Sequence, residues 1–315
     1  MTTNAAAGLS HRSRFYLAFF LLYFIWGSTY LAIRYAIASI PPLLMAGTRF
    51  FVAGLLMFIF LRWRGVQLPP WSQCWRLAVT GVFLFLGGNG TIVWAEQYID
   101  SGLAALLVST LPLWLILLDW LWAKGPAPQL RAVLGILLGV VGTVLLIKPA
   151  LILPWLYESV TTASSPQRVL ASTIVVMASV LWAIGSIYSK LFVKPQSVFM
   201  SAACQMIGGG LALLLVAIEQ GEWSHFAAAS ITWLSLTGFC YLVVIGSMVG
   251  ISAYVWLLQN AQAAAVSTYA FVNPVVALLL GWLIAGEPLT ASIIGSAGII
   301  LAGVLIVITT PARKA

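Results

Sequence analysis

Apolar runs of about 20 residues, broken only by short polar turns, follow one another along nearly the whole chain. At 1.5 Å of rise per residue, each is long enough to cross a hydrocarbon layer of about 30 Å as a helix. Backbone polar groups find no water there, so only helices or a closed barrel can span it, and runs of this length select helices. The residues read as ten spans, at about 15–36, 42–61, 76–97, 102–122, 130–148, 169–190, 198–218, 230–258, 263–284 and 290–310. Composition agrees, because 62% of the 315 residues are apolar, only 7% are charged and the mean hydropathy is +1.05, which excludes a water-soluble domain. The run from Phe15 to Ile37 follows arginines but lacks a small-residue cleavage site, so it is expected to stay as the first span.

Basic residues set the expected orientation, since insertion retains them on the cytoplasmic side. With a cytoplasmic N-terminus that side holds Arg12, Arg14, Arg62, Arg64, Arg76, Lys124, Arg131, Lys190, Lys194, Arg313 and Lys314, eleven of the fifteen. The other side keeps Arg34, Lys148 and Arg168, and Arg49 lies inside a span. This pattern predicts both termini inside, and the net charge of +8 then reads as topology, with weak attraction to anionic lipid and no call for nucleic acid. Cys74, Cys204 and Cys240 lie in or beside spans without metal-ligand spacing and read as free packing residues. His11 and His225 are remote from each other and no acids are paired, so neither a metal, a cofactor nor an enzymatic centre is expected.

The two halves echo one another. Trp26, Gly27, Ser28 and Tyr30 recur as Trp182, Gly185, Ser186 and Tyr188, and Leu111-Pro112-Leu113 recurs as Asn273-Pro274-Val275. The offsets are 156 at the tryptophans (26 and 182) and 162 at the prolines (112 and 274), a drift that small loop changes absorb. Each half holds five spans, an odd number, so a second copy enters the membrane upside down. The expected division is a tail at 1–14, a first five-helix repeat at 15–148, a connecting loop rich in Thr, Ser and Pro at 149–168, a second repeat at 169–310 and a tail at 311–315.

At these residues the chain resembles the EamA-type carriers of the drug/metabolite transporter superfamily. The resembling stretches are Ile25 to Tyr30, Pro41-Pro42 through Arg49-Phe50, Asn89 to Glu96, Ala104-Ala105 to Pro112, Trp182 to Tyr188, and Ser267-Thr268-Tyr269 to Pro274 with Gly286-Glu287, so the likeness covers about residues 15–310. The resemblance implies an all-α protein of ten transmembrane helices in two inverted repeats, placed in a bacterial inner membrane and exporting amino acids, related small metabolites or drugs. The first half departs from the pattern, with Lys124-Gly125 where the second has Gly286-Glu287.

Polar side chains in a bilayer are costly unless they face protein or water, so they mark the interior of the bundle. On that ground the candidate substrate-binding residues are Trp26, Ser28, Thr29, Tyr30, Asn89, Trp94, Ser109, Trp114, Trp182, Ser186, Tyr188, Tyr254, Tyr269 and Asn273. Against this, hydroxyls in membrane helices commonly bond back to their own backbone. Pro112 and Pro274 are expected to break helices four and nine, freeing a carbonyl about one turn upstream, and to act in gating. The run Gly87-Gly88-Asn89-Gly90 should loosen or bend the third span.

Arg49 lies about 12 Å below the outer surface by helical rise and needs a neutralising partner, for which Glu96 is the candidate. The alternative is an anion site, where the guanidinium binds a substrate carboxylate. The second half has Gln205 near the matching position. Asp119, near the inner end of span four, is the candidate for proton coupling, although facilitated export or exchange is as readily expected. Gly135 with Gly139, and Gly246 with Gly250, read as close helix packing within one chain, with a monomer expected and dimerisation the weaker alternative. The functional expectation is a carrier with a small-molecule substrate and lipid as its partners. The competing reading is a membrane receptor or scaffold without transport, which the short loops leave little surface for.

Overall fold

The computed structural model describes residues 11–125, 127–147, 165–194, 197–224, 226–260, 266 and 268–310. The expected tail ends at 1–10 and 311–315, most of the connecting loop (149–164), Lys148, His225 and Ser267 lie outside the described residues.

The chain is all-helical, with no strand among the described residues. The helices are α1 (His11–Ala36), α2 (Pro42–Trp63), α3 (Trp71–Ala95), α4 (Ser101–Leu121), α5 (Leu130–Ile147), α6 (Pro166–Phe192), α7 (Val198–Glu219), α8 (233–260), α9 (Tyr269–Ala285) and α10 (Ala291–Thr309). Nine are long and apolar enough to cross a membrane among the described residues, and α9 is the shorter exception, its expected start at 263 falling where residues are not described. The protein is a multi-pass membrane protein. Leu134 and Leu137 on α5, Leu215 on α7, Leu283 on α9 and Leu305 on α10 are each more than half exposed, a pattern suited to lipid rather than water.

Helix ends follow local chemistry. Proline opens α2 and α6 in the first turn, where its missing N–H costs nothing. Ser165, Ser197 and Thr232 cap α6, α7 and α8 with their hydroxyls. The N-terminus of α2 is served from a distance, as Glu222 accepts from the backbone N–H groups of Leu43 and Leu44.

Packing is organised by helix pairs: α2 lies on α7, α5 on α10, α1 on α8 and α9, and α6 on α3 and α4. Small residues permit the closest approaches. A Cβ added at Gly135 would lie 2.7 Å from the carbonyl oxygen of Gly303, so this glycine serves packing of α5 on α10 within the chain, as its spacing suggests. The interior is apolar, with Met45, Phe50, Phe85, Met206 and Leu242 gathered where α2, α3, α7 and α8 meet.

Two stretches depart from α-helical winding. Val82–Gly90 in α3 and Leu242–Val249 in α8 are wound as π-helix, a rare form that widens the turn and is frequent at functional sites. The first contains the glycine run that the sequence marks as a weak point, and there the helix widens while staying continuous. The second was not expected.

Candidate functional site

Residues from the candidate set converge where α1 meets α8 and α9. Trp26 packs against Tyr254 and Tyr269, each with ring centroids at 5.2 Å, and the two tyrosines meet edge to face at 6.0 Å. The amide of Asn273 donates to the carbonyls of Tyr269 and Tyr23 at 3.2 Å, and the hydroxyls of Tyr23 and Thr268 lie 2.5 Å apart. Two residues after Trp26 on α1, Ser28 donates to the Ile25 carbonyl and shares a 2.6 Å hydrogen bond with the Tyr241 hydroxyl. Thr29 donates to the Trp26 carbonyl and faces Gly246.

The remaining candidates make more local contacts. Ser186 donates to the Trp182 carbonyl, Ser109 to that of Leu106, and Trp114 Nε1 to Thr110 Oγ1. Tyr188 packs at a tilt on Phe192, Trp94 packs on Tyr98, and Tyr30 lies against the buried cluster of Ile92, Ala104 and Val175. Asn89 is half-buried in the π-stretch of α3 and hydrogen-bonds to nothing among the described residues. Trp94 also borders a cleft of about 470 Å³ shared with Thr91, Gln97, Gln220 and Glu222. The hydroxyls of Ser28, Thr29, Ser109 and Ser186 are thus engaged with their own helices.

The proposed Arg49–Glu96 pair is corrected by the geometry. Arg49 is 4% exposed on α2, its guanidinium lies 4.6 Å over the Phe50 ring, and its Nε donates to Ser247 Oγ at 3.1 Å, so it points to the π-stretch of α8. Glu96 is 5% exposed after α3, and among the described residues the two make no ion pair. Asp119, the candidate for proton coupling, is partly exposed, and its Oδ1 lies 2.5 Å from Lys190 Nζ. The prolines differ from each other. Pro274 lies inside α9, whereas Pro112 sits in the first turn of the second segment of α4, after a break at Ser109–Thr110. There its missing N–H is no loss, and the hydroxyls of Ser109 and Thr110 satisfy the carbonyls of Leu106 and Leu107. Of the cysteines, all free, Cys240 is exposed rather than packed.

An ion cluster missing from the expectation occupies the other end of the bundle from Asp119. Arg34 Nη1 pairs with Glu287 Oε1 at 2.5 Å and approaches Asp100 Oδ1 at 3.4 Å, and Asp100 Oδ2 holds Arg168 at 3.2 Å. Glu287 is 5% exposed and also accepts from Ser101 N at 2.9 Å, Ser101 Oγ at 2.6 Å and Gly102 N at 3.0 Å, closing the N-terminus of α4. Burial by itself raises this carboxyl, but the donors from Ser101, Gly102 and Arg34 outweigh it and hold Glu287 below the ordinary glutamate value.

The two ends are built to one plan. Glu287 N donates to the Gly281 carbonyl at 3.0 Å past Gly286 at φ +64°, and Gly125 N donates to the Asp119 carbonyl at 2.9 Å past Lys124 at φ +54°. Both turns therefore pass through a left-handed residue, Gly286 as the cap of α9 and Lys124 two residues past the cap of α4, and make the same six-residue closure. At an offset of 162 the acid and the glycine trade places: Asp119 matches Gly281 and Gly125 matches Glu287 (119 and 281, 125 and 287). Their cations match at the tryptophan offset of 156, Arg34 with Lys190 (34 and 190). This exchange of acid and glycine was the sequence signal for the cluster.

Tryptophans and glycines obey the same offsets. A Cβ on Gly250 would lie 2.6 Å from Trp26 Nε1, and one on Gly88 would lie 2.8 Å from Trp182 Cε3 (26 and 182, 88 and 250). Each indole rests on a glycine in the third helix of the opposite half.

Comparison with known proteins agrees with this architecture. The profile of the EamA-like transporter family matches residues 13–148 and 170–309. The chain is 35% identical over 297 residues to the uncharacterized inner membrane transporter YedA of Escherichia coli K12, covering 92% of this chain and 89% of that one. It is 25% identical to the uncharacterized transporter YoaV of Bacillus subtilis (92% and 95% covered) and 29% identical to protein PecM of Dickeya dadantii (85% and 83%). A solved crystal structure shares the fold at a TM-score of 0.62 and 20% identity, covering 95% of this chain and 98% of that chain. The chain belongs to the EamA-like transporter family.

Proposed function

We propose that the protein is a secondary transporter of ten membrane helices, in which two inverted five-helix halves at 15–148 and 169–310 rock about a central site and export a small amphipathic metabolite such as an amino acid or a drug. The observation that carries this reading is the pair of matched helix ends, each holding a carboxylate against the equivalent cation of the first helix of the opposite half. With the halves inverted, these two ion pairs would lie at opposite faces of the bilayer; both are formed in this structure, and transport would open them in turn. The matched π-stretches of α3 and α8, and the family match over both halves, support the same duplication.

With the basic-residue bias, the termini and the Lys190–Asp119 pair face the cytoplasm and the Glu287 cluster faces outward. The aromatic group of Trp26, Tyr254 and Tyr269, with Arg49 a short distance away at Ser247, offers an apolar wall and a cation to a substrate with an acidic end. A screen of ligand-dependent thermal stabilisation over amino acids, amines and sugars names the substrate class. Accumulation in cells lacking the protein against depletion in cells overproducing it gives the direction. Equal substrate levels in both, for every compound that stabilises the protein, would refute export.

A further inference from the structure

Glu96 and Arg49 are the only buried side chains among the described residues with polar atoms that find no hydrogen-bond partner: both carboxylate oxygens of Glu96 and Nη1 of Arg49. Arg49 is partly served by Ser247 and the Phe50 ring, but neither carboxylate oxygen of Glu96 has a hydrogen-bond donor. The titratable groups around it are accounted for. From α1 come Tyr30 and Arg34, and Arg34 is committed to Glu287 and Asp100; from α2 comes Arg49, turned toward α8. On α6 the packing residues are Ala171, Val175 and Ala178, and the charge at its end, Arg168, is bound to Asp100. Glu287 brings a second negative charge from the turn after α9.

An ionised carboxylate removed from water and left without donors is strongly disfavoured, and such a group discharges by taking up a proton. We infer that Glu96 is a proton-binding site, occupied in the conformation seen here and emptied when the Glu287 end opens. The step is a simple exchange in which one proton leaves the carboxylic acid for water and returns on closure, with no bond change elsewhere. Opening frees Arg34 from Glu287 and admits water, and both stabilise the Glu96 anion. Asp119, the sequence's candidate for this role, already has Lys190 as its partner. A carrier built this way exchanges a proton for its substrate.

The inference rests on the alternating-access reading, and the two fail in different ways. Infrared difference spectra of the purified full-length protein over a pH titration read the carbonyl stretch of a neutral carboxylic acid without requiring any motion. The expected result is such a band at neutral pH in the wild type, kept in Glu96→Asp and absent in Glu96→Gln. Glutamine copies the neutral acid, so that variant folds. The second arm replaces Cys74, Cys204 and Cys240 by serine and introduces Leu103→Cys, at a buried position of α4 beside Ile99. Labelling by a membrane-impermeant maleimide, taken relative to a reference cysteine on the exposed surface so that the ordinary rise in thiolate with pH cancels, should rise severalfold with pH in this background and lose that dependence when Glu96→Gln is added. No neutral-acid band, or an unchanged pH profile in Glu96→Gln, would overturn the inference. Unfolding of Glu96→Gln that is cured by Arg49→Met would do the same, by revealing an ion pair. Protection of Leu103→Cys at every pH in the wild type, with the band present, would instead count against alternating access and leave the proton site standing.

Discussion

At the Asp119 end one carboxylate faces one lysine, both partly exposed, and the glycine beside them lies in the turn. At the Glu287 end the glycine is on the helix and the carboxylate is in the turn. That acid is buried, takes three donors from α4 and joins Arg34, Asp100 and Arg168 in a cluster. The six-residue closures are shared, so the main difference lies in where the acid is placed. Moving the acid six residues along carries it from the rim into the N-terminus of a neighbouring helix, where it meets backbone donors as well as a cation. One end is thus held by many contacts and the other by one, and on the proposed alternating-access reading this biases the resting protein toward closure at the Glu287 end.

The largest effect should come from Glu287→Ala. It removes the one buried member of the cluster, and losing a hydrogen bond to a charged group costs about 1.5–3 kcal/mol. Maleimide labelling of a cysteine beneath the cluster should rise sharply, and unchanged labelling would mean the latch carries no bias. Copying the other end's design is the sharper test. The double variant Gly281→Asp with Glu287→Gly places an acid on the helix, as at Asp119, in space that Glu287 otherwise fills. It should recover part of the closure lost in Glu287→Gly, since Arg34 regains a partner while the donors of Ser101 and Gly102 do not. No recovery would break the correspondence between the two ends.

Acid should act on the same end more gently. The carboxyl of Glu287 is held below its ordinary value of 4.5, so its contribution is complete above that value and fades as the pH falls through its lower, folded-state value. Thermal stability of the wild type should therefore decline below about pH 4.5 more steeply than that of Glu287→Gln. The smallest change is expected from Lys190→Met, because exposed pairs contribute about 0–1 kcal/mol. A stability loss as large as that of Glu287→Ala would erase the asymmetry.

Much of this was legible in the residues, for reasons that can be named. Apolar run length locates the helices because a bilayer tolerates nothing else, and the glycine run at 87–90 marks a weak point in α3 because glycine packs and winds poorly. Trp26, Tyr254, Tyr269 and Asn273 meet because rare polar and aromatic residues in spans face inward. The expected Arg49–Glu96 pair is not formed because depth along a helix says nothing about azimuth. Arg49 and Glu96 are near one another in depth, yet Arg49 turns to Ser247. Pro112 and Pro274 look alike in sequence, but only the backbone reveals that one begins a helical segment and the other interrupts one. The π-stretch at Leu242–Val249 carries a single glycine and leaves no compositional trace.

The exchange of tryptophans between halves has a further consequence for assembly. Trp26 rests on Gly250, and Trp182 on Gly88, so each of these indoles has its glycine socket in the other five-helix unit. Produced separately, each unit would present a loose ring and an empty notch to lipid. Mixing the two in one membrane would let them complete each other, and such a split carrier should regain its shape only as a couple.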